Sequence, residues 1–112
     1  DIALLDRAHA DFLHNAQLGL MAETIECDRE FHRLLAQATR NKILYALTRS
    51  MVAAMLDDWI SSFHTPGRMD KTVGEHGRVL EAIKAKDAVA ARDGMATHLH
   101  NAIRDIKASS AP

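Results

Sequence analysis

The chain is poor in the features that build cross-linked, membrane-spanning or nucleic-acid-coating proteins. A single cysteine, Cys27, excludes an internal disulfide and points to a reducing, cytoplasmic compartment. Two prolines and five glycines in 112 residues exclude a collagen-like or linker-rich chain. No apolar run approaches the roughly 20 residues of a membrane span, and no signal-peptide pattern is visible. Charge of one sign is also lacking: 14 Lys and Arg stand against 15 Asp and Glu, a net charge of -1. That balance gives no electrostatic footprint for holding a phosphate backbone unaided. The length fits one domain with a modest core. The first residue is Asp1, so the expectation is a piece of a longer product.

What is abundant is histidine, 7 residues against an aromatic fraction of 4%, set in a helical pattern throughout. Ile2, Leu5, His9, Phe12, Leu13 and Ala16 follow the i, i+3, i+4 rhythm of one helix face, and Gly19 is placed to end it. A second helix is expected from about Met21 to Thr39, with Ile25, Asp28, Phe31, His32 and Leu35 on one stripe. A third, from about Lys42 to Phe63, is apolar on two sides and so needs two partners, a second copy of the chain being a candidate for one of them. Thr65-Pro66-Gly67 is the clearest loop signal. A fourth helix follows from about Lys71 to Ala85, with His76, Val79, Leu80 and Ile83 in register. Asp87 then caps a fifth, which runs to about Lys107 with Ala91, Met95, His98, Leu99, Ala102 and Ile106 on one side. The expected architecture is all-α: an antiparallel bundle of about five helices over residues 1–107, with 108–112 a disordered tail.

Four polar residues fall on stripes that face the core: Asp28, His32, His76 and His98. Asp28 and His32 are four apart, the spacing that lets two side chains of one helix grip one ion. The midpoint between His76 and His98 is residue 87, the expected turn. In an antiparallel pair the two imidazoles therefore lie at one level, roughly 15 Å from the turn. His100 lies about 200° round from His98 and should be off the site. Three imidazoles and a carboxylate suit a divalent transition metal better than Ca or Mg. The same spacings also fit a local Asp–His hydrogen bond and hydrogen-bonded core histidines. His9, His14, His64 and His100 read as surface residues, Cys27 as a packed thiol, and Met51, Met55 and Met95 as core filler. Glu75 and Asn101 are candidates to orient an imidazole from behind.

Two stretches resemble a known family. Asp28-Arg-Glu-Phe31-His32, followed by Asn41, is similar to the D-x-x-F-H…N signature of the FCD domain. Glu75-His76-Gly-Arg-Val79-Leu80-Glu-Ala82-Ile83, then Asp87, Ala90-Ala91 and Met95-Ala-Thr-His98-Leu99, is similar to its second half. FCD is the C-terminal ligand-binding domain of the FadR branch of GntR-type bacterial transcription regulators, and the resemblance runs from about Leu4 to Ile106. It implies an all-α bundle in which Asp28, His32, His76 and His98 bind a divalent metal, Zn or Ni. It also implies a small carboxylic acid effector, a homodimer, and control of a winged-helix DNA-binding domain that this chain lacks. The family's usual first helix also falls outside the expected pattern here, and with it an Arg that often meets the effector. Arg33, Arg49, Arg78 and Arg104 are the remaining candidates for the effector carboxylate.

The expected role is effector sensing rather than catalysis. A six-coordinate metal would leave two positions for a hydroxy-acid or dicarboxylate chelate; a four-coordinate one would be closed by protein, as in structural zinc sites. The alternatives are a structural helical dimerisation module with a closed or absent metal site, and a metal-dependent hydrolase. Against the hydrolase, no H-E-x-x-H motif occurs, and only Glu30 and Glu75 offer themselves as general bases.

Overall fold

The computed structural model describes residues 2–38, 46, 63 and 65–110, with the side chains of 106, 109 and 110 set aside. Among the described residues four α-helices have defined bounds: α1 (Ile2–Gln17), α2 (Met21–Ala38), α3 (Arg68–Lys84) and α4 (Ala88–Ser110). No strand occurs among the described residues, so the fold is all-α as expected. The expected helix from Lys42 to Phe63, with Arg49, Met51 and Met55, and also Asn41 and His64, lies outside them except for Ala46 and Phe63. The chain divides into two compact units, Asp1–Leu56 and Asp57–Pro112. The described residues of each form a helical hairpin.

In the first hairpin, three residues connect α1 to α2. Gly19 adopts φ +70; its N–H bonds the Ala16 carbonyl at 3.1 Å, and the Leu20 N–H reaches back to Asn15 at 3.0 Å. This is a Schellman closure, in which a left-handed residue turns the chain while satisfying carbonyls that the helix end leaves open. Leu5, Ala8 and Phe12 are the buried face of α1. They recur at i, i+3 and i+7, the period that puts side chains on one stripe. On α2 the buried face comprises Thr24, Ile25, Asp28, Phe31, His32, Leu34 and Ala36. Phe12 and Phe31 are wholly buried, each worth on the order of 1.5–3 kcal/mol in transfer from water. Ile2 and Leu13, expected on the inward stripe, are 42% and 38% exposed.

The second hairpin begins with a type II turn. Gly67 has φ 84 and ψ -10, and the Arg68 N–H bonds the Thr65 carbonyl at 3.0 Å. Pro66 presets the first central residue of such a turn, and Gly67 supplies the positive φ of the second. α3 therefore starts at Arg68, three residues before the expected Lys71. Its other end closes as α1 does: the Lys86 N–H bonds Ile83 at 3.0 Å and the Asp87 N–H bonds Ala82 at 2.9 Å. Here the left-handed residue is Lys86, φ 58. The Asp87 carboxylate accepts the Ala90 N–H at 3.0 Å, the capping role expected of it. α4 runs on to Ser110, so residues 108–110 are helical where a disordered tail was expected; 111–112 lie outside the described residues. Gly94 lets the two helices approach closely, since a Cβ there would stand 3.3 Å from the Val79 side chain. Leu99, expected inside, is 38% exposed.

Candidate metal centre

In the first unit, Asp28 and His32 occupy successive turns of α2. Both are buried, and His32 Nε2 lies 3.4 Å from Asp28 Oδ1. Phe31 meets the His32 ring edge-on, with centroids 6.1 Å apart. His9 is half-buried and its ring centroid is 6.0 Å from that of Phe31. The surface reading of His9 is therefore corrected: its place in the α1 rhythm carries it toward α2. His14 and His100 are exposed, as expected. Cys27 is a free thiol that accepts a hydrogen bond from Asn15 at 3.3 Å. Burial pushes its pKa up; the Asn15 bond opposes this, while Asp11, Glu26 and Asp28 reinforce it. A thiol held protonated is a poor ligand and a poor nucleophile.

In the second unit, the turn at Asp87 brings His76 of α3 level with His98 of α4. Both imidazoles are buried. Their Nε2 atoms face each other at 3.2 Å, with centroids 4.7 Å apart and planes at 76°. Two nitrogens bound to one ion at ~2.1 Å would stand about 3.0 Å apart at a right angle and about 3.4 Å apart at the tetrahedral angle. The observed separation falls between these values. The other nitrogen of His98, Nδ1, lies 2.7 Å from Glu75 Oε1. An ionised carboxylate only accepts, so Nδ1 carries the proton, and in the neutral ring Nε2 keeps its lone pair. A carboxylate behind an imidazole is the usual support of a metal-binding histidine. Asn101 donates to Glu75 Oε2 at 2.7 Å.

Sequence reasoning missed three members of this cluster. Arg68, 1% exposed, donates from Nη2 to Glu75 Oε1, from Nη1 to Asp105 Oδ2 at 2.9 Å and from Nε to Thr72 Oγ1 at 3.0 Å. The Thr72 hydroxyl in turn donates to the Arg68 carbonyl at 3.0 Å. Burial raises the pKa of Glu75, but hydrogen bonds from His98, Asn101 and Arg68, with the Arg68 charge, hold it below the ordinary value. Asp105 is held low chiefly by its Arg68 bond, against burial and with help from the charges of Arg68, Lys71 and Arg104.

Three of the four arginines proposed for an effector lie among the described residues. Arg33 is spanned by Glu30 at 2.5 and 2.8 Å and Gln37 at 3.3 Å on the surface of α2. Arg78 and Arg104 are exposed, and Arg49 lies outside the described residues. Of the two general-base candidates, Glu30 is tied to Arg33, which lowers its pKa, and Glu75 is engaged on both oxygens.

A family model of the FCD domain matches residues 1–101. No curated protein and no solved structure matches. No described helix is long and apolar enough to cross a membrane. FCD domains are regulatory rather than catalytic modules. The match spans both resembling stretches and nine-tenths of the sequence, and the helices it covers carry the D-x-x-F-H and E-H…H elements on buried faces; the chain belongs to the FCD domain family of GntR-type regulators.

Proposed function

We propose that this chain senses a small carboxylic acid through a divalent transition metal, Zn or Ni, held by Asp28, His32, His76 and His98. The observation that carries this reading is the buried His76–His98 pair, whose Nε2 atoms face each other at 3.2 Å while Glu75 fixes the proton of His98 on the far nitrogen. The Asp28–His32 pair, buried at i, i+4 on α2, supplies the other half of the family's ligand set. A bound metal would supply a Lewis-acidic centre for the effector carboxylate. The domain works as a homodimer in the cytoplasm and reaches operator DNA through a winged-helix domain outside this sequence.

Elemental analysis of the purified protein, with calorimetric titration of small hydroxy acids and dicarboxylates, tests the reading. The expected result is about one metal per chain, a lower melting temperature after EDTA because a ligand of the folded state stabilises it, and acid binding only in the loaded form. His32→Ala and His76→Ala each abolish the single equivalent, while His100→Ala leaves it. Metal with no acid binding would instead mark a closed, bracing site. Absence of metal and of any EDTA effect would leave a structural helical module.

A further inference from the structure

We propose that Arg68 is a positioning residue for the His98 imidazole, acting through the Glu75 carboxylate, with Asp105 anchoring the arginine to α4. The proposal rests on the reading of His98 as a metal ligand.

A buried guanidinium is costly unless its donors are all matched. Arg68 divides three nitrogens among three partners: Thr72 one turn along α3, Glu75 two turns along, and Asp105 on α4. The guanidinium presents these donors from three separate nitrogens in one rigid plane, whereas lysine must present all of its donors from a single nitrogen. Each partner fixes a different degree of freedom. Thr72 ties the guanidinium to its own helix. Asp105 is two turns beyond His98, so its bond to Arg68 resists sliding of α4 along α3. Glu75 is left to face His98, with Oε1 shared between Arg68 and His98 Nδ1 and Oε2 taken by Asn101. A carboxylate held at both oxygens has no rotational freedom, so the Nδ1–H of His98 has one acceptor in one place. That selects the tautomer whose Nε2 lone pair faces His76. Without Arg68, Asn101 on Oε2 is what holds the carboxylate independently of His98; Oε1 can then turn away from Nδ1, and the imidazole loses its fixed orientation.

The test uses the whole chain, 15N-labelled and metal-free, at about pH 8, above the ordinary imidazole range. Long-range 1H–15N spectra read the tautomer of His98, assigned by its loss in His98→Gln, and a Co(II) titration with Zn competition reads affinity. The expected result is a single Nδ1–H tautomer in the parent and a tautomer mixture in Arg68→Gln, with metal affinity down about 10–100-fold, the usual effect of removing an outer support. An unchanged tautomer in folded Arg68→Gln overturns the proposal, even if affinity falls, because a merely structural arginine would act that way. Should Arg68→Gln fail to fold, Asp105→Asn decides: a partial shift of the tautomer supports the proposal, and the parent signature overturns it. A parent that binds neither Co(II) nor Zn refutes the metal reading alone, since the tautomer comparison is made without metal.

Discussion

The two hairpins solve one problem in two ways. Each joins its helices through three residues and closes the first helix with the same pair of backward hydrogen bonds. The first hairpin is then filled mainly with hydrocarbon: Leu5, Phe12, Ile25, Phe31 and Leu34 are buried, and its arginine pairs, Arg29–Glu26 and Arg33–Glu30, lie on the surface. The second buries Arg68, Glu75 and Asp105 beside Val79 and Leu80. Surface i, i+3 pairs contribute about 0–1 kcal/mol. A buried pair gains little over an apolar replacement, yet losing one partner costs several kcal/mol. The second hairpin has therefore exchanged tolerance for geometry: its polar cluster adds little stability but orients an imidazole.

The largest effects expose that contrast. Phe12→Ala in the first hairpin should cost about 3–5 kcal/mol through lost burial and a cavity. Arg68→Met in the second should cost a similar amount, about 3–5 kcal/mol, by leaving Glu75 and Asp105 without their cation. The mechanisms separate in a rescue experiment. Adding Glu75→Gln and Asp105→Leu to Arg68→Met removes both stranded charges while keeping an acceptor for His98, and should recover most of the loss in denaturant unfolding, whereas no polar change rescues Phe12→Ala. If the triple variant is no more stable than Arg68→Met, the cluster is not the source of the penalty.

Next in size is the response to acid. Asp105 has its folded-state pKa depressed, mainly by the Arg68 bond. Such a group contributes stability that is present above its unfolded pKa of about 3.9 and is lost as pH falls through the lower folded value. Stability should thus decline as the medium is acidified below about pH 4. Asp105→Asn should be less stable at neutral pH, decline less steeply, and approach the parent in acid. Phe12→Ala should run parallel to the parent over the same range. Equal slopes for Asp105→Asn and the parent, followed by circular dichroism melts from pH 7 to pH 3, would show that Asp105 gains nothing from Arg68.

How far these features could be read from sequence depended on where each helix began. The level of His76 and His98 followed from the turn at Asp87, because both helices run unbroken from it and a one-residue slip would rotate either ring by about 100°. The ending at Gly19 and the cap at Asp87 were legible because each residue type has a specific reason to sit there. Arg68 was not legible, since starting the helix at Lys71 left it in a loop, where an arginine reads as solvated. Once α3 starts at Arg68, that residue, Thr72 and Glu75 fall on one stripe at i, i+4 and i+7. Arg68 and Asp105 then stand nearly equidistant from Asp87, as His76 and His98 do. His9 carried the right period but was outweighed by its polarity. Lys86 carried no signal at all, because nothing in a lysine announces positive φ.

That lysine gives the smallest and cleanest comparison. Gly19 and Lys86 occupy the same left-handed position of the same closure, at φ 70 and 58. A side chain in that region crowds the following carbonyl by roughly 1–2 kcal/mol, a cost glycine avoids. Against this, glycine adds freedom to the unfolded chain, about 0.4–1 kcal/mol in the opposite sense. Lys86→Gly should therefore stabilise the protein by a net of about 0.5–1 kcal/mol, and Gly19→Ala should destabilise it by about the same. Apart from Gly19 and its two chain neighbours, no heavy atom of the described residues lies within 4 Å of where a Cβ on Gly19 would stand, so the second change tests backbone strain without a clash against another element. Denaturant midpoints at constant m-value read both. Opposite signs would show that the two turns are equivalent in backbone and differ only in residue, whereas a loss of stability in Lys86→Gly would mean that the lysine side chain itself contributes at the second turn.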